Sequence, residues 1–137
     1  MKGEKANFSI IVSSSDGYSD CWDPFFTLMK IYFPGIEKIE ILLSTQTKDY
    51  YHPDFNLKVV KHGLTAAWSQ RLRQTLDQAS NDIILFLDED SFLRSIVDVN
   101  LLNELIELMV ENEKISHIRL LRGDWIGEKT KFPQIDE

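Results

Sequence analysis

The chain has 137 residues, of which 43% are hydrophobic and 11% aromatic, a composition that suits one folded domain and argues against a disordered chain. Twenty-two acidic and fifteen basic side chains give a net charge of −7, which disfavours nucleic acid or an anionic membrane as the main partner while allowing a local basic pocket. Cys21 is the only cysteine, no apolar run reaches the roughly 18 residues of a membrane span, and the first residues lack the apolar core of a secretory signal. We therefore expect a soluble cytoplasmic protein.

The first third of the sequence predicts a strand, a helix and a second strand. Residues 8–12 are almost all apolar and predict a central strand. The loop at residues 13–20 is rich in hydroxyl and carboxylate groups, which either bind a polar ligand or only favour turns. Asp23 as N-cap and Pro24 as first helical residue predict a helix to residue 33. Residues 36–43 predict a second strand that stops at polar residues.

The middle of the chain predicts a third strand and a second helix. Tyr50, Tyr51 and His52 indicate an exposed connection, and residues 57–60 indicate a short strand that ends before Gly63. Thr65 predicts the N-cap of a helix that runs to Ala79, with an apolar stripe at Trp68, Leu72, Leu76 and Ala79.

Arg71 lies on another face of this helix, near the edge where the strands end. An arginine there either pairs with a phosphate or is solvated.

Residues 83–92, IILFLDEDSF, carry the main functional pattern. Five apolar residues predict a buried strand that ends at Asp88, so that Asp88 and Asp90 lie at its carboxyl end with Glu89 turned aside. Ligands bind at that edge in open α/β sheets, and two carboxylates suit a hard cation such as Mg²⁺ or Mn²⁺. The alternative is a polar loop that merely ends a strand.

The last part of the chain predicts a helix over residues 101–113 with Asn100 as N-cap, a half-exposed strand over 115–121 and a polar tail over 122–137. Together the elements predict an α/β fold for residues 1–121. We expect three α/β/α layers around a mostly parallel, Rossmann-like sheet with strand order 3-2-1-4.

The order and spacing of these parts resemble the nucleotide-binding half of GT-A glycosyltransferases, members of the nucleotide-diphospho-sugar transferase superfamily. The likeness covers residues 7–121. It rests on FSIIVSSSDG at the first strand and on the polar residues that end the second strand. It rests further on WSQRL in the helix that follows Gly63 and on NDIILFLDED at the acidic pair. The helix start DCWDPFF at residues 20–26 is similar to that of bacterial enzymes of surface polysaccharide assembly.

The resemblance implies transfer of a sugar from a UDP- or GDP-sugar to a saccharide or lipid-linked acceptor, with Mn²⁺ or Mg²⁺ as cofactor. It implies that Asp90 ligates the cation at the donor diphosphate and that Asp88 holds a metal-bound water or the ribose. Arg71 would face the diphosphate, and Gly63 would let the backbone pass close to it. The nucleoside pocket would be lined by Ser13, Ser14, Ser15 and Asp16.

Two features depart from the family pattern. Many relatives place an acidic residue just after the second strand to contact the base, where this chain has Ser44, Thr45 and Gln46. Enzymes of this fold also continue into an acceptor half that carries the catalytic base, and we identify no base here. If the chain is part of such a fold, its sheet should expose apolar surface beyond the last strand, which a second copy or a partner chain would cover.

A non-catalytic domain that binds nucleotide sugars or proteins, derived from a truncated transferase, is the main alternative. A haloacid-dehalogenase-like phosphatase also uses two aspartates after an apolar strand, but usually near the start of the chain. A receiver-type signalling domain requires its acidic residues on other strands. The last two classes fit this sequence less well.

Overall fold

A computed structural model describes residues 7–120 and 135–136 of the chain. The chain divides into two compact units, Met1–Val97 and Asp98–Glu137. The first unit contains the sheet and two helices, and the second contains the third helix and a short strand pair. Apart from residues 135–136, the polar tail predicted over 122–137 lies outside the described residues.

The first unit is built on a four-stranded, all-parallel sheet. Its strands are β1 (Ser9–Ser13), β2 (Glu40–Thr45), β3 (Asn56–Lys61) and β4 (Ile84–Asp88). Their order is β3-β2-β1-β4, which confirms the predicted order 3-2-1-4. With helices α1 (Trp22–Tyr32), α2 (Trp68–Gln78) and α3 (Val99–Glu111), the chain has the expected Rossmann-like α/β fold.

The two central strands are apolar because both faces of the sheet are covered. Ile10, Val12, Ile41, Leu42 and Leu43 are all 0% exposed. Such continuous apolar runs are typical of parallel sheets buried on both sides.

The helices α1 and α2 cover opposite faces of the sheet. On one face Ile11, Leu42 and Val60 form an apolar cluster against which Ala79, at the end of α2, and Ile84 pack. The crossover from β1 to β2 and the crossover from β3 to β4 run in opposite directions across the sheet. Because parallel crossovers are right-handed, α1 must lie on the other face from α2.

An aromatic cluster joins α1 to the connection between β2 and β3. Phe26 is 0% exposed, stacks on Tyr50 at 5.3 Å between ring centroids, and meets the edge of Phe55 at 5.2 Å. The prediction of an exposed connection is wrong for Tyr50, whose hydroxyl donates to Asp23, and right for Tyr51, which is 83% exposed. Tyr50 and Phe55 of the β2–β3 connection are therefore half-buried against the core.

The helices begin at other residues than predicted. Helix α1 begins at Trp22, after a 3₁₀ helix at Asp16–Cys21, so Asp23 and Pro24 lie inside its first turn. Proline is tolerated there because first-turn N–H groups have no partner within the helix. Helix α2 begins at Trp68 instead of Thr65, and the Gln70 side chain accepts a hydrogen bond from the Ala67 N–H at 3.1 Å.

The second unit departs most from the sequence prediction. Helix α3 is capped by Asp98, which accepts from the Leu101 N–H at 3.0 Å, and not by Asn100. Its buried residues are Leu102 and Ile106. The strand predicted over residues 115–121 is reduced to β5 (His117–Ile118), which pairs antiparallel with β6 (Ile135–Asp136) and does not join the parallel sheet.

Candidate functional site

Three polar residues form a row across the carboxyl edge of the sheet. In the strand register Ser13 lies beside Ser44 on one side and beside Asp88 on the other. Adjacent strands are about 4.8 Å apart, so the row spans roughly 10 Å. The predicted sharing of one sheet edge by the acids and the loop after β1 is therefore confirmed.

This row borders a cleft on the face of the sheet that α2 covers. Side chains two residues apart on a strand point to the same face, so Ser13 shares the face of Ile11, and Asp88 that of Phe86. The cleft is half-open to solvent and encloses room for about one water molecule. Its apolar lining is Ile11, Trp68, Leu72 and Phe86, and its polar lining is Ser13, Ser44, Arg71 and Thr75.

Arg71 brings an unpaired donor into the cleft. Its side chain is half-buried, and its Nε is the one buried side-chain nitrogen or oxygen among the described residues that has no hydrogen-bond partner. Leaving a buried donor unpaired costs about 1–3 kcal/mol. An anionic or carbonyl ligand in the cleft would supply the acceptor.

Helix α2 is fixed beside the strand ends by His62, a residue to which the sequence analysis gave no role. His62 Nε2 lies 3.1 Å from the Thr75 hydroxyl, and Nδ1 lies 2.7 Å from Gln74 Oε1. The Thr75 hydroxyl in turn donates to the Arg71 carbonyl at 2.8 Å. The position of Arg71 thus depends on a histidine at the end of β3, and a lone histidine gives no sequence signal for such a contact.

The two predicted metal ligands are exposed at the end of β4. Asp88 and Asp90 both lie in a turn that the Ser91 N–H closes by donating to the Asp88 carbonyl at 3.1 Å. Neither carboxylate forms an ion pair or a side-chain hydrogen bond with a described residue. Glu89 between them is turned inward and only 7% exposed. Burial raises the pKa of the Glu89 carboxyl, and the charges of Asp90 and Asp88 raise it further.

The acidic pair alone does not make a complete cation site. Within residues 7–120 no three histidine, cysteine, aspartate or glutamate side chains come together as a metal site. Two carboxylates fill a minority of the roughly six positions around Mg²⁺ or Mn²⁺. A bound ligand and water would have to supply the rest.

Of the four residues predicted to line a nucleoside pocket, the cleft contains Ser13. Ser14 is buried, and its hydroxyl accepts from the indole N–H of Trp22 at 2.8 Å. Ser15 precedes the 3₁₀ helix, and its carbonyl accepts a hydrogen bond from the Tyr18 N–H. Ser14 and Ser15 thus have structural partners, and their contact with a ligand stays a prediction.

Asp16 organises the loop that follows β2. Its carboxylate accepts from the backbone N–H groups of Gln46 and Thr47, both at 3.0 Å, and of Lys48 at 3.2 Å. The Thr47 hydroxyl donates to it at 2.5 Å. These bonds, chiefly that from the Thr47 hydroxyl, lower the pKa of Asp16 from 3.8 to about 2. The nucleoside contact predicted for Asp16 stays a prediction beside this structural role.

We expect Asp16→Asn to lower the thermal midpoint at pH 7 by roughly 5 °C, because the amide is a weaker acceptor for the loop. The folded-state pKa of Asp16, about 2, is below the unfolded value of about 3.9. The contribution of the Asp16 charge to stability is therefore complete above the unfolded pKa and is lost as the pH falls through the folded pKa. Midpoints from pH 2 to 7 should therefore converge with those of the wild type on acidification. Asp77→Asn, an exposed change on α2, is the control. A gap that stays constant with pH would contradict the role.

Gly63 is required by its own backbone conformation. Its φ is +76°, in the left-handed region that favours glycine. Gly35 has a similar φ of +78°. The Gly63 N–H donates to the Gln46 carbonyl at 2.9 Å, which ties the end of β3 to the loop after β2. A Cβ at Gly63 would meet no atom within 4 Å, so close approach to a diphosphate stays a prediction.

No protein-family model matches the sequence, and a search of curated proteins finds no significant relative.

Proposed function

We propose that the first unit binds a nucleotide-diphospho-sugar at the carboxyl edge of its sheet, as the donor-binding half of a glycosyltransferase. The observation that supports this most is the row of Ser44, Ser13 and Asp88 beside a cleft that contains the unpaired Nε of Arg71. Ligands of open parallel sheets bind at this edge. A diphosphate offers acceptors for Arg71, and with a cation it balances the two exposed aspartates.

In this proposal Asp88 and Asp90 hold Mn²⁺ or Mg²⁺ together with the donor diphosphate. The metal, when bound, neutralises the charge that develops on the departing diphosphate. Arg71 contributes a further positive charge from the side of α2. Gly63 and the serines at the strand ends shape the backbone around the donor.

The acceptor, a saccharide or lipid-linked saccharide, would bind beside the carboxyl ends of the strands. β4 is an outer strand of the four-stranded sheet. None of its five residues is fully buried, and Phe86 is 41% exposed. We propose that a second copy or a partner chain covers this surface and completes the acceptor side.

A non-catalytic nucleotide-sugar-binding domain is the second candidate, and the same row of residues favours it equally. Transfer of sugar from a labelled UDP- or GDP-sugar to an acceptor distinguishes the two functions. No helix among the described residues is long and apolar enough to cross a membrane. The cytoplasmic location stays a prediction.

The proposal is tested by titrating UDP and GDP into the protein with and without Mn²⁺. Two carboxylates bind Mn²⁺ only weakly alone, so we expect each ligand to tighten the binding of the other. The thermal midpoint should rise clearly only when both are present, because a ligand stabilises the state to which it binds. Equal nucleotide binding with and without metal, or no binding, would contradict the proposal.

A further inference from the structure

β4 presents an unpaired backbone edge on the side away from β1. It pairs with β1 on one side, and no described strand pairs with its other side. The Ser9 N–H donates to the Ile83 carbonyl at 3.0 Å, so Ile83 directs its backbone groups toward β1. Successive residues of a strand direct these groups to alternate sides, so the N–H and C=O groups of Ile84 and Phe86 point away from β1. Neither residue forms a hydrogen bond on that side with a described residue.

The two outer strands of the sheet differ in how their edges are protected. β3 carries two exposed lysines, Lys58 and Lys61. Lysines on an outer strand are one means by which proteins prevent further strand pairing. β4 has only apolar side chains from Ile84 to Leu87 and no charged residue before Asp88. An apolar outer strand without such protection is suited to pairing with another chain.

The side chains of β4 indicate what kind of strand would fit beside it. Ile84 and Phe86 lie on the face that α2 covers, and Leu85 and Leu87 lie on the other face. None of the four is fully buried. A strand added beside β4 would therefore meet apolar side chains on both faces of the sheet. A continuous apolar run, of the kind found in parallel sheets that are buried on both sides, matches this surface best.

Exposed acids at both ends of β4 argue against a second copy and for a basic partner. Asp82 precedes the strand, and Asp88 and Asp90 follow its apolar part. A closed two-fold dimer pairs the same edge antiparallel, which would place Asp82 of each copy opposite Asp88 or Asp90 of the other. Like charges directly opposite each other destabilise strand pairing. A strand with lysine or arginine at both ends would meet opposite charges, whichever way it runs.

We propose that the outer edge of β4 binds an extended segment of a partner protein by strand addition, with about five apolar residues flanked on both sides by lysine or arginine. The N–H and C=O groups of Ile84 and Phe86 bond to the backbone of this segment, and the flanking cations lie beside the acids. The inference goes beyond the proposed function, since it needs no nucleotide, and it selects a partner chain over a second copy as the cover of β4.

The test adds a synthetic peptide of alternating valine and isoleucine, with a pair of lysines at each end, to the full chain in Mn²⁺-free buffer. Amide hydrogen exchange followed by NMR reports on each strand edge. The amides of Ile84 and Phe86 should exchange at least about tenfold more slowly with the peptide, because each donates to the added strand. Leu57 and Val59 are the internal control. The bond from the His62 N–H to the Thr45 carbonyl directs their amides outward on β3, where exchange should not change.

Phe86→Lys places a charge on the edge of β4 in the way that protects β3, and it should abolish peptide binding. Val59→Lys, on the opposite outer strand, is the matched control and should retain it. Asp82→Lys changes an exposed residue and tests the charge even if Phe86→Lys does not fold. It should weaken binding of the lysine peptide roughly fivefold. A peptide with glutamates in place of the lysines should bind the wild type more weakly than the lysine peptide by at least as much.

Slow exchange at Ile84 and Phe86 without peptide would show that the edge is already covered. The cover would be a segment of the same chain if the protection is independent of protein concentration, and a second copy if it grows with concentration, and either result overturns the proposal. Equal binding of the lysine and glutamate peptides, or equal protection of Leu57 and Val59, would overturn it too. No nucleotide enters this test, so its failure leaves the proposed donor site standing.

Discussion

Replacement of Asp88 and Asp90 together by asparagine is expected to weaken UDP binding in the presence of Mn²⁺ by roughly 100-fold or more. Contacts to a charged group contribute about 1.5–3 kcal/mol each, and about 1.4 kcal/mol corresponds to a factor of ten in affinity. Both carboxylates are exposed and have no described partner, so they are available to a cation. In Mn²⁺-free buffer the variant should bind UDP at least as well as the wild type, because two repelling charges are gone.

The same double variant should fold with unchanged or slightly higher stability, since it removes like charges that lie close together. Asp82→Asn is the matched control, because Asp82 is an exposed aspartate just before the amino end of β4. It should change neither the affinity nor its dependence on metal. Unchanged metal-dependent UDP binding in the double variant would contradict the assigned role of the acids.

Replacement of Phe26 by alanine is expected to lower the free energy of unfolding by about 3–5 kcal/mol, the range for large-to-small changes in a core. Phe26 is 0% exposed and contacts Phe25, Tyr50 and Phe55, so the change removes the ring that joins α1 to the β2–β3 connection. Urea denaturation followed by circular dichroism measures the loss.

Ile31→Ala, on the same helix and 62% exposed, is the control and should change the stability by no more than about 0.5 kcal/mol. Phe26→Leu keeps most of the side-chain volume and should lower the free energy of unfolding less than Phe26→Ala does. The leucine variant tests the contribution of the ring if the alanine variant is too unstable to purify. A loss below about 1 kcal/mol for Phe26→Ala would show that the cluster does not contribute to the core as described.

The strand ends and their order could be predicted because β1, β2 and β4 are apolar runs that stop at polar residues. Ser13, Ser44 and Asp88 each end such a run, and parallel pairing aligns the three stops. Right-handed crossovers and short connections left few other orders for the strands. The shared edge of the site therefore followed from the sequence.

The partners of individual polar residues could not be predicted in the same way. A Ser-Asp-Gly loop suits both a ligand and a turn, and Asp16 bonds to residues about thirty positions away in sequence. Trp68 has the spacing of a core residue on α2, but it is the first residue of that helix and is 56% exposed. Such outcomes depend on tertiary contacts that periodicity does not encode.

The helix starts were wrong for a local reason. Asp23 with Pro24, Thr65 and Asn100 are all suitable cap sequences, and the chain uses Cys21, Ala67 and Asp98 at those positions instead. Neither Cys21 nor Ala67 caps its helix through its side chain, so packing outweighs the cap preference of the sequence at these two helix starts.

The central claim is that ligand and metal bind together at the carboxyl edge, and the location of the bound Mn²⁺ tests it most directly. With UDP present, Mn²⁺ should broaden the backbone amide NMR signals of Ser13, Ser44 and the turn at Asp88. The signals of Glu40, Asn56 and Ile83, at the opposite edge of the sheet, should persist. Broadening centred on that opposite edge, or broadening at Asp88 that is as strong without UDP as with it, would contradict joint binding at the carboxyl edge.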